Sequence, residues 1–123
     1  MNPIRDGWAP EDIEIIMRRG DPAELLHVPV AVTLDPPDCA WAEEICLSLA
    51  SHENPHVRGN AILGLGHLAR TCRALALPSA RAIVAAGLAD PNEFVRGQAA
   101  AAAEDIQAYL GIAASGPESA GQT

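Results

Sequence analysis

Apolar positions along this chain recur three and four residues apart, without sustained alternation, so the pattern predicts helices throughout. The first helix is predicted to start near Pro10, with Glu11 and Asp12 in its first turn, Ile13, Ile16 and Met17 on one face, Arg18 and Arg19 at its end and Gly20 as a stop. Each charge suits the helix dipole at its place. Asp21-Pro22 repeats the start signal, a capping side chain before a proline at the first helical position, and predicts a short second helix over 23–27. Residues 28–34 are apolar and β-branched, with Pro29 among them; a lone strand would lack a partner, so the segment is expected to be irregular or a short helix laid on the core. Beyond the stiff break Asp35-Pro36-Pro37, Asp38 is expected to cap a helix that buries Trp41, Ala42, Ile45, Cys46 and Leu49 and turns Glu44, Ser48 and Ser51 to water. A turn over 51–54 leads into a helix from Pro55 to about Arg70, with Val57, Ala61, Gly64, Leu65 and Leu68 on one side. A second pair follows: one helix over 77–89, and another opened by Asp90 and Pro91, running to about Leu110 and ended by Gly111. Residues 113–123 are too small and polar to pack, which predicts a loose tail.

The two pairs are copies of each other. Val57, Arg58, Gly59, Asn60 and Ala61 return thirty-eight positions later as Val95, Arg96, Gly97, Gln98 and Ala99, and the same offset pairs Leu65 with Ala103 and Leu68 with Ile106. That period suits a pair of helices, and self-similarity over such a distance means stacked repeats. Each copy reads as an outer helix, a turn with Asn-Pro or Asp-Pro, then Val-Arg with Ala three residues after the Arg. In this arrangement the Val packs inward, the Ala allows helices to approach closely, and Arg58 or Arg96 reaches carbonyls or an acid of the neighbouring turn.

These stretches, residues 38–110 in all, resemble HEAT repeats. The resemblance implies an all-α, short HEAT-like α-α solenoid of stacked helical hairpins. Its parts would be a degenerate N-terminal cap over 10–37, a first clear repeat over 38–70 and a second over 77–111, within a single domain 1–111, followed by a flexible tail over 112–123. More narrowly, residues 52–70 and 103–110 resemble the small acidic HEAT-like immunity proteins that bacteria encode beside polymorphic or contact-dependent toxins. That resemblance implies a protein that binds and neutralises a basic, possibly nuclease, toxin domain and carries no catalytic residues, metal or cofactor. A general protein-binding scaffold stays open. So does an enzyme or lyase subunit, because HEAT-like folds include enzymes that act on damaged DNA and lyases that attach bilins.

Charge narrows the partner. Sixteen acids against eight bases give −8, and every base is Arg. Nucleic-acid affinity draws on cationic side chains that displace condensed counterions, so nucleic acid is disfavoured and a basic protein favoured. No apolar run approaches the roughly 18 residues of a membrane span, and the N-terminus lacks the basic-then-apolar pattern of a signal peptide. The expectation is a cytoplasmic protein away from membranes. Cys39, Cys46 and Cys72 form an odd set without CxxC spacing and are expected to be reduced, packed thiols.

His52-Glu53-Asn54-Pro55-His56 matches the HExxH zinc-protease signature letter for letter. The chemistry needs both imidazoles on one face of a continuous helix, yet Pro55 interrupts the motif and the repeat places it in the turn, so metal catalysis is rejected. Glu11-Asp12, Glu43-Glu44 and Glu104-Asp105 are adjacent acids. Neighbours on a helix point about 100° apart, so none of these pairs converges on one substrate atom.

The repeat itself supplies the sharper candidate. Asn60, Leu63 and His67 share one flank of the inner helix, and the offset maps them onto Gln98, Ala101 and Asp105. Stacking would set the rows side by side, and inner helices line the concave surface of HEAT-like solenoids, which makes this polar strip with one apolar residue the preferred contact surface. The turn acids Asp35, Asp38, Glu53, Asp90 and Glu93 are expected to form a second patch along one rim, suited to a cationic partner.

Overall fold

The structure, a computed structural model, describes residues 8–111. The tail expected over 112–123 lies outside them, as do residues 1–7. The described residues form seven helices, α1 (Pro10–Arg19), α2 (Pro22–Leu25), α3 (Val28–Leu34), α4 (Cys39–Leu49), α5 (Pro55–Thr71), α6 (Leu77–Leu88) and α7 (Glu93–Leu110), with no strand among them. The fold is an all-α, HEAT-like helical repeat.

Four helix starts are fixed by a side chain folded back onto the first turn. Asp21 accepts from the Ala23 N–H at 3.0 Å, Asp38 from Trp41 at 2.9 Å, and Asn92 from Val95 at 3.2 Å. Asn54 takes two donors, the N–H groups of His56 and Val57. Each satisfies amides that a helix leaves without an internal partner. The last of these starts differs from the expectation. Asp90-Pro91 looks like Asn54-Pro55, but the thirty-eight-residue offset sets Asn54 opposite Asn92, and it is Asn92 that caps α7. Asp90 is released for another task. Gly20 and Gly111, both with positive φ, stop α1 and α7 where the sequence places them.

Residues 28–34 form a helix despite three valines and a proline. Pro29 sits in the first turn, where its missing N–H breaks no helical bond, and Val28, Pro29 and Val32 are buried. Burial decides the conformation here against weak local propensity. Thr33 is fully buried, with its hydroxyl on the Pro29 carbonyl at 2.7 Å.

Packing follows the repeat. Helices α3, α5 and α7 lie as an inner row, with α4 against α5 and α6 against α7 on the outer side. The core consists of Val57, Ala61, Ile62, Leu65 and Leu68 of α5 with Val84 of α6 and Val95, Ala99, Ala102 and Ile106 of α7, and continues through Ile45 and Cys46 into Val28 and Val32. Each large side chain so buried contributes about 1.5–3 kcal/mol, offsetting the conformational entropy lost on folding. The α5–α7 crossing is close because of glycine. A Cβ on Gly66 would stand 2.7 Å from the Cα of Ala102, and one on Gly59 would stand 2.8 Å from the Phe94 ring.

The cysteines correct an expectation. Only Cys46 is a free, buried thiol; Cys39 and Cys72 are joined in a disulfide. They are far apart in sequence and follow no short motif, but α4 and α5 are antiparallel, so the first residue of one meets the cap of the other at a Cα separation of 6.2 Å.

Candidate protein interface

At the start of each inner helix an Arg organises the turn. The Nη1 of Arg58 donates to the carbonyls of His52 and Glu53, six and five residues earlier, at 2.9 and 3.1 Å. Its Nε and Nη2 donate to the two carboxylate oxygens of Asp90 at 2.8 and 3.0 Å. Arg96 repeats the first contact at the same spacing, onto the Asp90 carbonyl at 2.8 Å. The fork onto Asp90 lowers the Asp90 carboxyl below its ordinary value, helped by the Asn92 N–H, and raises the Arg58 guanidinium. Such a bidentate pair fixes both distance and orientation between successive turns.

The candidate strip is built on that spacing. Asn60 and Gln98 stand side by side, with Gln98 Nε2 donating to Asn60 Oδ1 at 2.9 Å, and Asn60 Nδ2 donating onward to the Leu26 carbonyl at 2.8 Å. One amide row therefore crosses from the α2 end through α5 to α7. Both side chains are half-buried, with Asn60 Oδ1 turned on Gln98 and Asn60 Nδ2 on the Leu26 carbonyl. Lower on α5, half-buried His67 sets Nδ1 3.1 Å from Thr33 Oγ1. The single hydroxyl proton of Thr33 is engaged on Pro29, which leaves an oxygen lone pair for an Nδ1–H of His67. Burial pushes the His67 imidazole below its ordinary value; Arg70 adds to this and Asp105 opposes it. Asp105 also lies against the α5–α7 crossing, with one oxygen 3.3 Å from where a Gly66 Cβ would be. Leu63 is half-buried, one turn after Asn60 and one before His67. The two rows thus meet at Asn60 with Gln98, and lower down the Asp105 charge acts on His67.

The acids expected along one rim are not brought together. Asp35 and Asp38 close α3 and open α4, at the end of the hairpin marked by the Cys39–Cys72 bond. Glu53, Asp90 and Glu93 lie at the other end, marked by Arg58. Helix α4, about 16 Å long at 1.5 Å per residue, separates the groups. The shared turn signals hid this, because the turns of an antiparallel hairpin alternate between its two ends. Asp90 is moreover occupied by Arg58, whereas Asp35, Asp38, Glu53 and Glu93 are exposed.

The HExxH letters fall across a helix start. Pro55 is the first residue of α5, His52 to Asn54 lie in the preceding turn, and His52 Nδ1 accepts the Asn54 N–H at 2.9 Å. His56 instead meets the Phe94 ring, with centroids 4.8 Å apart. Among the described residues no group of three or more His, Cys, Asp or Glu side chains is placed to hold a metal ion. A cleft of about 330 Å³ opens between α4 and α6, lined by Leu47, Ile62, Ile83 and Gly87. Its charged lining residues, Arg58 and Asp90, are already paired with each other. Among the described residues, no helix is long and apolar enough to cross a membrane.

Comparison with known proteins agrees with this geometry. Residues 44–72, from the middle of α4 to the end of α5, match the family model of the HEAT repeat. No curated protein and no solved structure matches the chain. The match supports placement with HEAT-repeat proteins, whose helical surfaces generally mediate protein–protein interaction.

Proposed function

We propose that this chain is a non-enzymatic protein-binding domain that acts as an immunity protein, covering and neutralising a cognate cationic toxin domain in the cytoplasm. The observation that carries the reading is the strip shared by α5 and α7. Its polar groups are held in register by the Asn60–Gln98 bond, with Leu63 at its centre and Asp105 at its edge, on a chain of net charge −8. A rigid frame with a fixed row of side chains suits recognition by complementarity. The negative field would speed and orient the encounter with a basic partner. A stable inhibitor needs no turnover, and the reading includes no metal and no cofactor.

Co-expression tests it. Cells carrying a basic toxin domain encoded beside this chain should survive when the chain is present and die when it is deleted, and the two proteins should co-purify. Survival that is unchanged on deletion would exclude immunity. A wider scaffold role rests on the same HEAT match; co-purification with a non-toxic basic protein, together with no effect on survival, would favour it.

A further inference from the structure

The chain carries a covalent bond between residues outside its fully buried core and outside its proposed binding strip. Cys39 is exposed at the first turn of α4, and Cys72 is half-buried at the C-cap of α5. The third thiol, Cys46, is fully buried in the core. The bonded pair therefore sits where solvent reaches it, while the unreactive thiol is locked inside. Immediately after Cys72 comes the connector to α6, residues 73–76, which is mostly exposed and begins with Arg73 at φ 56°, a left-handed conformation that a side chain disfavours. Arg73 Nε donates to the Arg70 carbonyl at 3.3 Å, Leu75 packs partly buried against the core, and three further contacts hold this segment. The Cys39–Cys72 bond anchors its start to α4, the Glu43 carboxylate of α4 accepts the Ala76 N–H at 2.6 Å, and the Arg73 guanidinium lies over the Tyr109 ring at 4.9 Å.

We propose that Cys39–Cys72 is a thiol–disulfide exchange site, a reversible clip opened by dithiol reductants, whose state sets the freedom of the 73–76 connector. A thiolate of the dithiol attacks Cys72 Sγ, the S–S bond breaks, and the electron pair leaves on Cys39 Sγ, which takes a proton from solvent. Cys39 is the better leaving group because it stands at a helix N-terminus, where negative charge is stabilised, whereas Cys72 stands at a C-terminus. The second thiol of the reductant then attacks its own sulfur in the mixed disulfide and releases Cys72, so the protein gains two thiols and the dithiol becomes a disulfide. The fold is expected to survive, because neither cysteine belongs to the fully buried core and Cys72 only packs against it. The connector loosens, because it loses its covalent anchor to α4 at the end where its backbone is disfavoured, leaving the Glu43 carboxylate to tie it to that helix. The clip is independent of the partner reading and does not rest on it.

The test uses the full oxidised chain without denaturant. Incubation with excess dithiothreitol, followed by alkylation and mass analysis, should label Cys39 and Cys72 and leave Cys46 unlabelled, with the helical circular dichroism unchanged. Amide hydrogen exchange at Arg73 to Ala76 should quicken roughly tenfold on reduction, with the α5 and α7 interiors unaffected. The double variant Cys39→Ser/Cys72→Ser should show the fast exchange with or without reductant. Glu43→Gln in the oxidised chain should quicken Ala76 alone. A bond that yields to dithiol only in urea, loss of helical signal on reduction or in the double variant, or connector exchange equal in both states would each overturn the clip. The full quickening appearing in oxidised Glu43→Gln would also overturn it, by assigning the hold to the carboxylate.

Discussion

Arg58 grips both carboxylate oxygens of Asp90 across 32 positions of sequence, while its counterpart Arg96 holds the Asp90 carbonyl of its own turn. The Arg58–Asp90 pair is mostly shielded, with 19% and 13% of the side chains exposed, so it is more than a solvated surface contact. Arg58→Ala is therefore expected to lower Tm clearly more than Arg96→Ala, as thermal melts of the two variants would show. The pair also sets an acid limit. Arg58 first, and the Asn92 N–H second, hold the Asp90 carboxyl below its ordinary 3.8, so its stabilisation is complete above that value and is lost as pH falls through the lower folded value. In Asp90→Asn the fall of Tm below about pH 4 should be shallower than in the parent.

Two glycines should respond to alanine with opposite sign. A Cβ at Gly66 would meet the backbone of Ala102, which cannot swing aside, so Gly66→Ala is expected to cost about 1–3 kcal/mol despite the better helix propensity of alanine. At Gly97, on the exposed side of α7, a Cβ meets nothing within 4 Å, and Gly97→Ala should stabilise by about 0.5–1 kcal/mol. Urea unfolding of both variants beside the parent decides the matter.

His67 gives the molecule a second pH dependence. Burial first, then Arg70, keeps its folded value below 6.5, so between that value and 6.5 the unfolded chain binds more protons than the folded one. Stability is full above 6.5 and declines as pH falls through this window. The urea midpoint should drop from about pH 7.5 to about pH 5, less steeply in His67→Gln and more steeply in Asp105→Asn, which removes the charge that favours the imidazolium.

Leu63 separates binding from folding better than its neighbours do. Asn60 and Gln98 hold each other, so replacing either disturbs the frame, whereas Leu63 is only half-buried and its side chain makes no hydrogen bond. Leu63→Arg should weaken capture of a cationic partner more than tenfold, about 1.4 kcal/mol or more, with little change in Tm. Titration calorimetry with the co-purified partner reads it.

The sequence displays the helices because their starts are written locally. Asp21, Asp38 and Asn54 each precede a first turn that they cap. At Asp90 and Asn92 two start signals overlap, and Asp90 is held by Arg58, a distant residue, while Asn92 caps the helix. Residues 28–34 were ambiguous for a related reason, since valine and proline speak against a helix locally and burial speaks for one. The disulfide and the division of the turn acids could not be read from spacing, because both follow from the antiparallel course of α4 and α5. The strip was legible in part. The offset paired Asn60 with Gln98, but nothing in the letters announced that Leu26 would take the other end of the Asn60 amide or that Thr33 would meet His67.

Helix α5 has neighbours on both flanks of the inner row as well as behind it. A fragment stopping at Thr71 would leave bare the flank on which Ala102 and Phe94 rest, and one beginning at Leu77 would lack the rod that α7 leans on. Division between the two duplicated hairpins would therefore yield no self-sufficient half, and melting should proceed as one cooperative event rather than hairpin by hairpin.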